Sequence, residues 1–441
     1  MLSVKYKPYP KMKDSGIEWI GKIPEEWSHS KLALICDVIV DGTHFRPTYV
    51  ENGIPFLRVT DIQRSIINWD DVKKISKEEH QILIKRCNPQ KNDLLLSKNG
   101  TIGVSMIVNW EQEFSMFVSL ALIKVNKDLL DVHFLKQFFD SKLAKDQIHE
   151  RSKSTTVTNL HLEEIKEFQI PLPEIQEQKQ ISDFLDSQTK LIDSQIKSNQ
   201  KLVTLLQEKR QATINQAVTK GLDPTVPMKD SGIEWIGDIP EHWDVLPFFN
   251  ICKENNIKNF KNKIENVLSL SYGRIIQRDL ENNFGLIPKS FDTYQIVRPG
   301  YIVMRLTDLQ NDKVSLRVGL VKEIGIITSA YLGLIVDEKM HSDYFYNLLH
   351  LYDLKKIFYG MGGGVRQSIG YFDLKHLPII ITSLKEQKQI SDFLDGETTK
   401  IDSLISKTET QIEKLQEFRQ SLISATVTGK IDVRTNHEKV N

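Results

Sequence analysis

The sequence predicts an α+β chain: two small domains of mixed α/β fold joined by two long helices that pair antiparallel as a coiled coil, in a pseudo-twofold, cyclic repeat. Three observations predict it. The decapeptide EQKQISDFLD occurs twice, at 177–186 and 386–395. The block MKDSGIEWIGKIPEEW at 12–27 returns as MKDSGIEWIGDIPEHW at 228–243, identical at fourteen of sixteen positions. The stretches that follow each block, 28–176 and 244–385, share almost nothing in running text. Self-similarity at a long period marks a repeated structural frame. Here the frame is kept and its contents vary.

The expected order is a frame segment over 1–27, a first domain over 28–172, a central helix over 173–219, and a second frame segment over 220–243. A second domain over 244–381, a C-terminal helix over 382–428 and a tail over 429–441 complete it. Pro171 and Pro173 are excluded from a helix interior but suit its approach. From Ile175 to Val218 there is no Gly or Pro, and Gly221 ends the run. The second copy repeats this from Leu384 to Val427 with Gly429, interrupted only by Gly396. At ~1.5 Å per residue each run makes a rod of roughly 65 Å.

A heptad reading fits both rods. Ile390, Leu394, Ile401, Leu404, Leu415, Phe418, Leu422 and Ala425 fall on the seam of the second, with Glu397, Thr408 and Gln411 as exceptions. Ile181, Leu185, Ile192, Leu202 and Leu206 do so in the first, interrupted by Gln188, Gln195, Asn199 and Lys209. Polar seam residues cost stability but restrict register. With a twofold relation between copies, the rods run antiparallel and the two domains sit at opposite ends. The terminal pieces TVTGKIDVRT and KPYPKMKDSGIEW together rebuild the central AVTKGLDPTVPMKDSGIEW, which makes the repeat cyclic.

The intervening domains carry short β-patterned runs bounded by turns. In the first they are 36–40, 55–59, 93–96, 103–108 and 118–125, with helical patterns at 132–148 and 160–167. In the second they are 267–270, 301–305, 316–321 and 332–336, followed by helices at 342–358 and 372–376.

Composition bounds the function. With 441 residues, 40% hydrophobic and 26% charged, the chain reads as a soluble protein with room for two or three cores. No apolar signal region or 18-residue apolar run is present. Three cysteines, Cys36, Cys87 and Cys252, without C-x-x-C, point to a reducing cytoplasm. Net charge is zero, so general basicity does not argue for nucleic acid. Lys253, Lys258, Lys261, Lys263, Arg274 and Arg278 against Glu254 and Glu265 do offer a local basic face.

Catalytic signatures are missing. There is no P-loop, no H-E-x-x-H, no paired C-x-x-C and no G-x-S-x-G elbow. Neither catalytic residues nor a metal site are expected. Several loops instead suit a negatively charged ligand with patterned edges. These are 41–47 (DGTHFRP), 97–103 (SKNGTIG), 151–159 (RSKSTTVTN) and, in the second domain, 360–368 (GMGGGVRQS).

The MKDSGIEWIG-x-IP-x-x-W blocks, the EQKQISDFLD blocks, the PLP-x-I-Q-EQ approach at 171–178, the Gly-Thr-Ile-Gly turn at 100–103 and the closing TGKID at 428–432 resemble the specificity subunits of type I restriction–modification systems. The resemblance covers nearly the whole chain. It implies two target recognition domains, each reading half of a bipartite, asymmetric DNA site. It implies rods that set the unread spacer, with the domains roughly 34–36 Å apart on the duplex. Two methyltransferase subunits holding S-adenosylmethionine would dock on the rods, and restriction subunits using ATP and magnesium can join.

On this resemblance DNA contact is expected in the first domain at Thr43, His44, Arg46, Lys98, Asn99, Thr101, Ser152, Thr155, Thr158 and Asn159. In the second it is expected at Tyr272, Arg274, Arg305, Thr307, Gly363, Arg366, Gln367 and Ser368. Methyltransferase docking is expected at Ile181, Phe184, Leu185, Ile390, Phe393 and Leu394. The second domain lacks the Gly-Thr-Ile-Gly turn; Arg305-Leu306-Thr307-Asp308 stands nearest its place. A two-headed protein-binding scaffold and a self-sufficient nuclease or methyltransferase remain the competing readings.

Overall fold

The computed structural model describes residues 6–63, 66–152, 159–278, 290–309, 316–361 and 368–434. The chain forms two compact units, one from 1–200 with 410–441 and the other from 201–409. No described helix is long and apolar enough to cross a membrane.

In the first unit the frame block folds as a small hairpin, Met12–Asp14 against Lys22–Pro24, and delivers Ile23 and Trp27 to the core. Ser28–Lys31 then pairs antiparallel with Gln169–Leu172. The domain's entry and exit strands are thereby clamped side by side, so its contents can vary without moving its ends. The second unit repeats both devices: Met228–Asp230 against Asp238–Pro240, and Asp244–Pro247 against Pro378–Ile381.

Each domain is built on a four-stranded sheet of the same order. In the first it runs Cys36–Asp41, Leu120–Val125, Leu94–Ser97, Ser105–Ile107; in the second, Cys252–Glu254, Leu332–Val336, Ile302–Met304, Val318–Leu320. Side chains alternate across a sheet. Leu94, Leu96, Ala121 and Ile123 therefore enter the core shared with the rods, whereas Leu95, Leu120 and Leu122 enter a separate cluster on the other face. Burial on both faces is why these strands read as continuous apolar runs.

Outside this sheet the domains diverge. The first adds a mixed sheet of Ser115–Met116, Ile54–Leu57, Lys74–Ile75 and Tyr49–Val50; the second adds the hairpin Leu268–Ser271 with Arg274–Gln277, and the pair Gln295–Val297 with Gly325–Ile327.

The helix expected over 132–148 is two, Val132–Asp140 and Lys142–Ser152. Ser141 is extended between them, donating its hydroxyl to Phe138 O at 2.6 Å and accepting Ala144 N–H at 3.3 Å. One side chain closes the first helix and opens the next. The helix expected over 342–358 likewise stops, at Leu354, and a short 3-10 turn follows.

The rods span Ile175–Lys220 and Leu384–Val427. Each unit contains part of both, packed antiparallel. In the first, Ile181, Leu185 and Ile192 share a core with Leu415, Leu422, Ile423 and Val427, and Arg419 reaches Asp193 at 2.9 Å. In the second, Ile214, Ala217 and Val218 share a core with Ile390 and Leu394, and Arg210 reaches Asp402 at 2.9 Å. Along the middle of the second rod the buried seam is strictly heptadic: Leu394, Ile401, Thr408, Leu415 and Leu422. Thr408 is admitted because its hydroxyl bonds back to Leu404 O at 2.8 Å. Leu202, Leu404 and Phe418, expected on the seam, are instead largely exposed. A narrow seam buries mainly one position per heptad here and leaves its flanks to solvent.

Within the first unit, Asp432 N–H donates to Lys7 O at 2.9 Å and Arg434 Nη1 to Glu26 at 2.9 Å. The segments around Lys7 and Asp432 meet there, as the cyclic repeat requires.

Candidate nucleic-acid interface

In the first unit the candidate loops converge on Asp41, the buried last residue of its strand. Its carboxylate lies 3.3 Å from His44 Nε2, 2.5 Å from Arg86 Nη2 and 3.4 Å from Lys98 Nζ. Arg86 also donates to Gly42 O at 3.2 Å. A Cβ on Gly42 would stand 2.0 Å from Met116 O, so only glycine permits this approach. Thr43 bridges Phe117 through its backbone, and Thr43 N–H donates to Met116 O at 3.1 Å. His44 and Arg46 project outward; the Arg46 guanidinium lies 5.6 Å from the Tyr49 ring.

The 97–103 loop meets the same cluster. Lys98 N–H donates to Ser119 O at 2.9 Å, and Lys98 O accepts Leu160 N–H at 2.8 Å. Asn99 and Asn159 therefore face each other across an isolated antiparallel bridge. The side-chain carbonyl oxygens of both are buried and have no partner among the described residues. Thr101 Oγ accepts from Gln63 Nε2 at 2.8 Å. Ser152 ends the helix Lys142–Ser152; Thr155 and Thr158 lie outside the described residues.

Lys98 is not offered outward. Its side chain is 6% exposed and spent on Asp41, which corrects the expectation that it meets DNA directly. The sequence singled out neither Arg86 nor Gln63, which holds Thr101, and read Asp41 only as part of the 41–47 loop, not as the cluster's centre. Arg86 and Asp41 are 45 residues apart on different elements, and no local pattern signals such a pairing.

The second unit rebuilds the loop with other residues. Arg305 N–H donates to Arg317 O at 2.9 Å where Ser97 N–H donates to Val104 O at 2.8 Å. Leu306 O accepts Ile369 N–H at 3.1 Å, the counterpart of Lys98 O with Leu160. Asp308 takes the left-handed φ of +58° where Gly100 has +76°. So 305–308 lines up with 97–100 and reaches only the first position of the missing Gly-Thr-Ile-Gly turn, with Thr307 at the place of Asn99. Exposed Ser368 adjoins Ile369; Gly363, Arg366 and Gln367 lie outside the described residues.

Tyr272 and Arg274 flank Gly273 at the tip of the 268–277 hairpin, where positive φ at Tyr272 and Gly273 makes the tight turn. Tyr272 is 84% exposed. The Arg274 guanidinium lies 3.9 Å from Asp402 on the second rod, so the structure brings it to a helix.

The residues expected to dock a partner divide sharply. Ile181, Leu185, Ile390 and Leu394 are consumed by the units' own cores, which removes them as contacts. Phe393 is 41% exposed, and Phe184 is half-buried with Tyr6 edge-on at 5.7 Å. Among the described residues no group of three His, Cys, Asp or Glu side chains is placed to hold a metal ion.

Residues 24–204 and 318–414 match the family model described as type I restriction modification DNA specificity domain. The putative type I restriction enzyme MjaX specificity subunit of Methanocaldococcus jannaschii is 26% identical over 442 aligned positions, covering 94% of this chain and 96% of that protein. The EcoBI specificity subunit of Escherichia coli is 29% identical over 162 positions, 36% of this chain and 34% of that one. Among solved structures, a chain from a type I R-M system study of complex assembly and conformational transition matches with TM-score 0.66 at 15% identity, covering 92% of this chain and 98% of that one. The HsdS subunit from Thermoanaerobacter tengcongensis matches with TM-score 0.53 at 14% identity, covering 93% and 98%.

Proposed function

This chain belongs to the type I restriction–modification DNA specificity family, and from that premise we propose that its two units each read one half of a bipartite, asymmetric DNA site. The chain supplies the address. Two methyltransferase subunits holding S-adenosylmethionine supply the modification, and restriction subunits supply ATP- and magnesium-dependent cleavage.

The observation that carries this reading is the loop crossing at Asn99 and Asn159, whose buried amide oxygens have no described partner. Asparagine reads adenine in the major groove through paired hydrogen bonds, and since both asparagines are only partly buried, turning their amides toward a ligand would satisfy those oxygens. The other unit repeats the backbone of this loop with a different side-chain set, Arg305, Thr307 and Ser368. One scaffold with two side-chain sets is what reading two different half-sites needs. The rods would set the unread spacer, and Phe184 and Phe393 are the positions of the frame decapeptide left to meet a methyltransferase subunit.

Co-expression with an adenine methyltransferase subunit, followed by methylome sequencing, should return one motif of two different half-sites around a fixed spacer. Modification at a single contiguous motif, or none at all, would defeat the proposal.

A further inference from the structure

Arg317 has no solvent exposure. A buried charge is tolerated only where its donors are met, and an arginine does not shed its proton. Its donors go to the loop that carries Arg305 and Thr307. Nη1 donates to Arg305 O at 3.1 Å and Thr307 O at 2.8 Å, and Nη2 to Asp308 O at 3.4 Å. Nε donates to the Tyr359 hydroxyl at 2.9 Å, and the Arg317 backbone N–H donates to Asp353 at 2.6 Å. Asp308 has φ +58°, a left-handed conformation that is uncommon for non-glycine residues, though aspartate takes it more readily than most. Three carbonyls gathered on one planar fork hold it there.

The counterpart loop is held by a different buried cation. There Lys98 lies 3.4 Å from Asp41, and glycine at 100 takes the left-handed position without help. Neither cation faces outward, yet each fixes the backbone from which candidate base contacts project.

We propose that Arg317 is a positioning residue for sequence reading, setting the shape of the 305–308 loop and so the half-site discrimination of its unit, as Lys98 does in the other. This rests on the two-half-site reading above.

The test uses the full chain with its methyltransferase subunit and duplexes carrying single base-pair changes in either half-site. The wild type should discriminate against changes in both halves; if it does not, the functional reading fails before this inference is reached. Arg317→Lys keeps the charge but loses the fork. It should reduce discrimination from roughly ten-fold or more to under about three-fold at one half-site only. Lys98→Met should do so only at the other. Tyr359→Phe, which removes one acceptor and spares the packing, should weaken discrimination at the same half-site as Arg317→Lys. It carries the test if Arg317→Lys fails to fold. Relaxation of the same half-site by Lys98→Met and Arg317→Lys, equal loss at both halves, or full discrimination in the position-317 and position-359 variants would overturn the proposal.

Discussion

The side-chain amide of Gln178 accepts the backbone N–H of Asp131 at 2.8 Å, and it donates to Leu129 O and Pro173 O at 2.9 Å each. Gln387 repeats this 209 residues later, accepting His341 N–H at 2.7 Å and donating to Lys339 O and Thr382 O. Both glutamines are fully buried. Their neighbours Glu177 and Glu386 accept the indole N–H groups of Trp27 and Trp243 at 3.1 and 3.2 Å. Thus two adjacent residues of the decapeptide tie a rod to the frame block and to a domain helix. Here is a physical reason for the duplication.

Gln178→Ala should therefore strand one buried N–H and two buried carbonyls. At about 1–3 kcal/mol per orphaned group, with partial relaxation, the loss should be on the order of 3–5 kcal/mol. Gln178→Glu should cost nearly as much, since a carboxylate cannot donate to the two carbonyls. Urea unfolding measures both; a change under about 1 kcal/mol would refute the tie.

Gly429 should not tolerate a side chain. It closes the second rod at φ +69°, where an added Cβ would stand 2.2 Å from Pro24 Cδ. Backbone strain and overlap together predict a loss of about 2–4 kcal/mol for Gly429→Ala. At Gly221 (φ +73°) the nearest atoms stand 3.4 Å away, so Gly221→Ala should cost only about 1–2 kcal/mol. Equal melting temperatures for the two variants would contradict this difference.

What was legible beforehand follows a clear line. The rods, the core strands and both frame blocks show in the text because their signals are local: periodicity, absence of Gly and Pro, and repetition. The Ser141 break was not legible, since a serine inside a helical pattern decides the matter only through the hydrogen bonds it finds. The Asp41 cluster and Arg317 were hidden for a different reason. A lysine or arginine in a polar stretch reads as solvated, and only the fold reveals that Lys98 and Arg317 point inward. Duplication brought 305–308 close despite its unlike residues, against 97–100 rather than 100–103, because position within the frame survives where side chains do not.

His350 should make the second unit acid-sensitive. It is buried, stacked on Tyr346 at 5.8 Å, and drawn down to about 4, first by burial and then by Arg210. The unfolded chain binds its proton near 6.5, so stability is full above that pH. It is lost as pH falls from about 6.5 towards 4, by up to roughly 3 kcal/mol. His350→Leu should flatten this slope in thermal melts over that window. An unchanged slope would place the sensitivity elsewhere.

The rod pairs Asp193–Arg419 and Arg210–Asp402 occupy equivalent places, each a 2.9 Å contact between partly exposed side chains. Exposed pairs contribute under about 1 kcal/mol, so Arg419→Ala should barely shift the melt. Arg419→Asp should do more, by facing Asp193 with a like charge, and Asp193→Arg on that background should restore it. Failure of the double variant to recover would mean that the antiparallel register is held by other contacts.

Spacer length should follow rod length. Deleting one heptad from each rod, 196–202 and its repeat equivalent 405–411, both between the Asp193–Arg419 and Arg210–Asp402 contacts, removes about 10 Å of helix and keeps the seam in phase. The Gln178 and Gln387 ties lie outside the deleted segments, and of the residues in or against the two main cores only half-buried Ile196 is removed. Each unit should then keep its half-site, while the distance between half-sites shortens by roughly three base pairs, since 10 Å corresponds to about three steps of duplex rise. Methylome sequencing of cells carrying the deleted form with the methyltransferase subunit reads both quantities at once. Altered half-sites around an unchanged spacer would assign the spacer to the domains, and the rods would lose their role as a ruler.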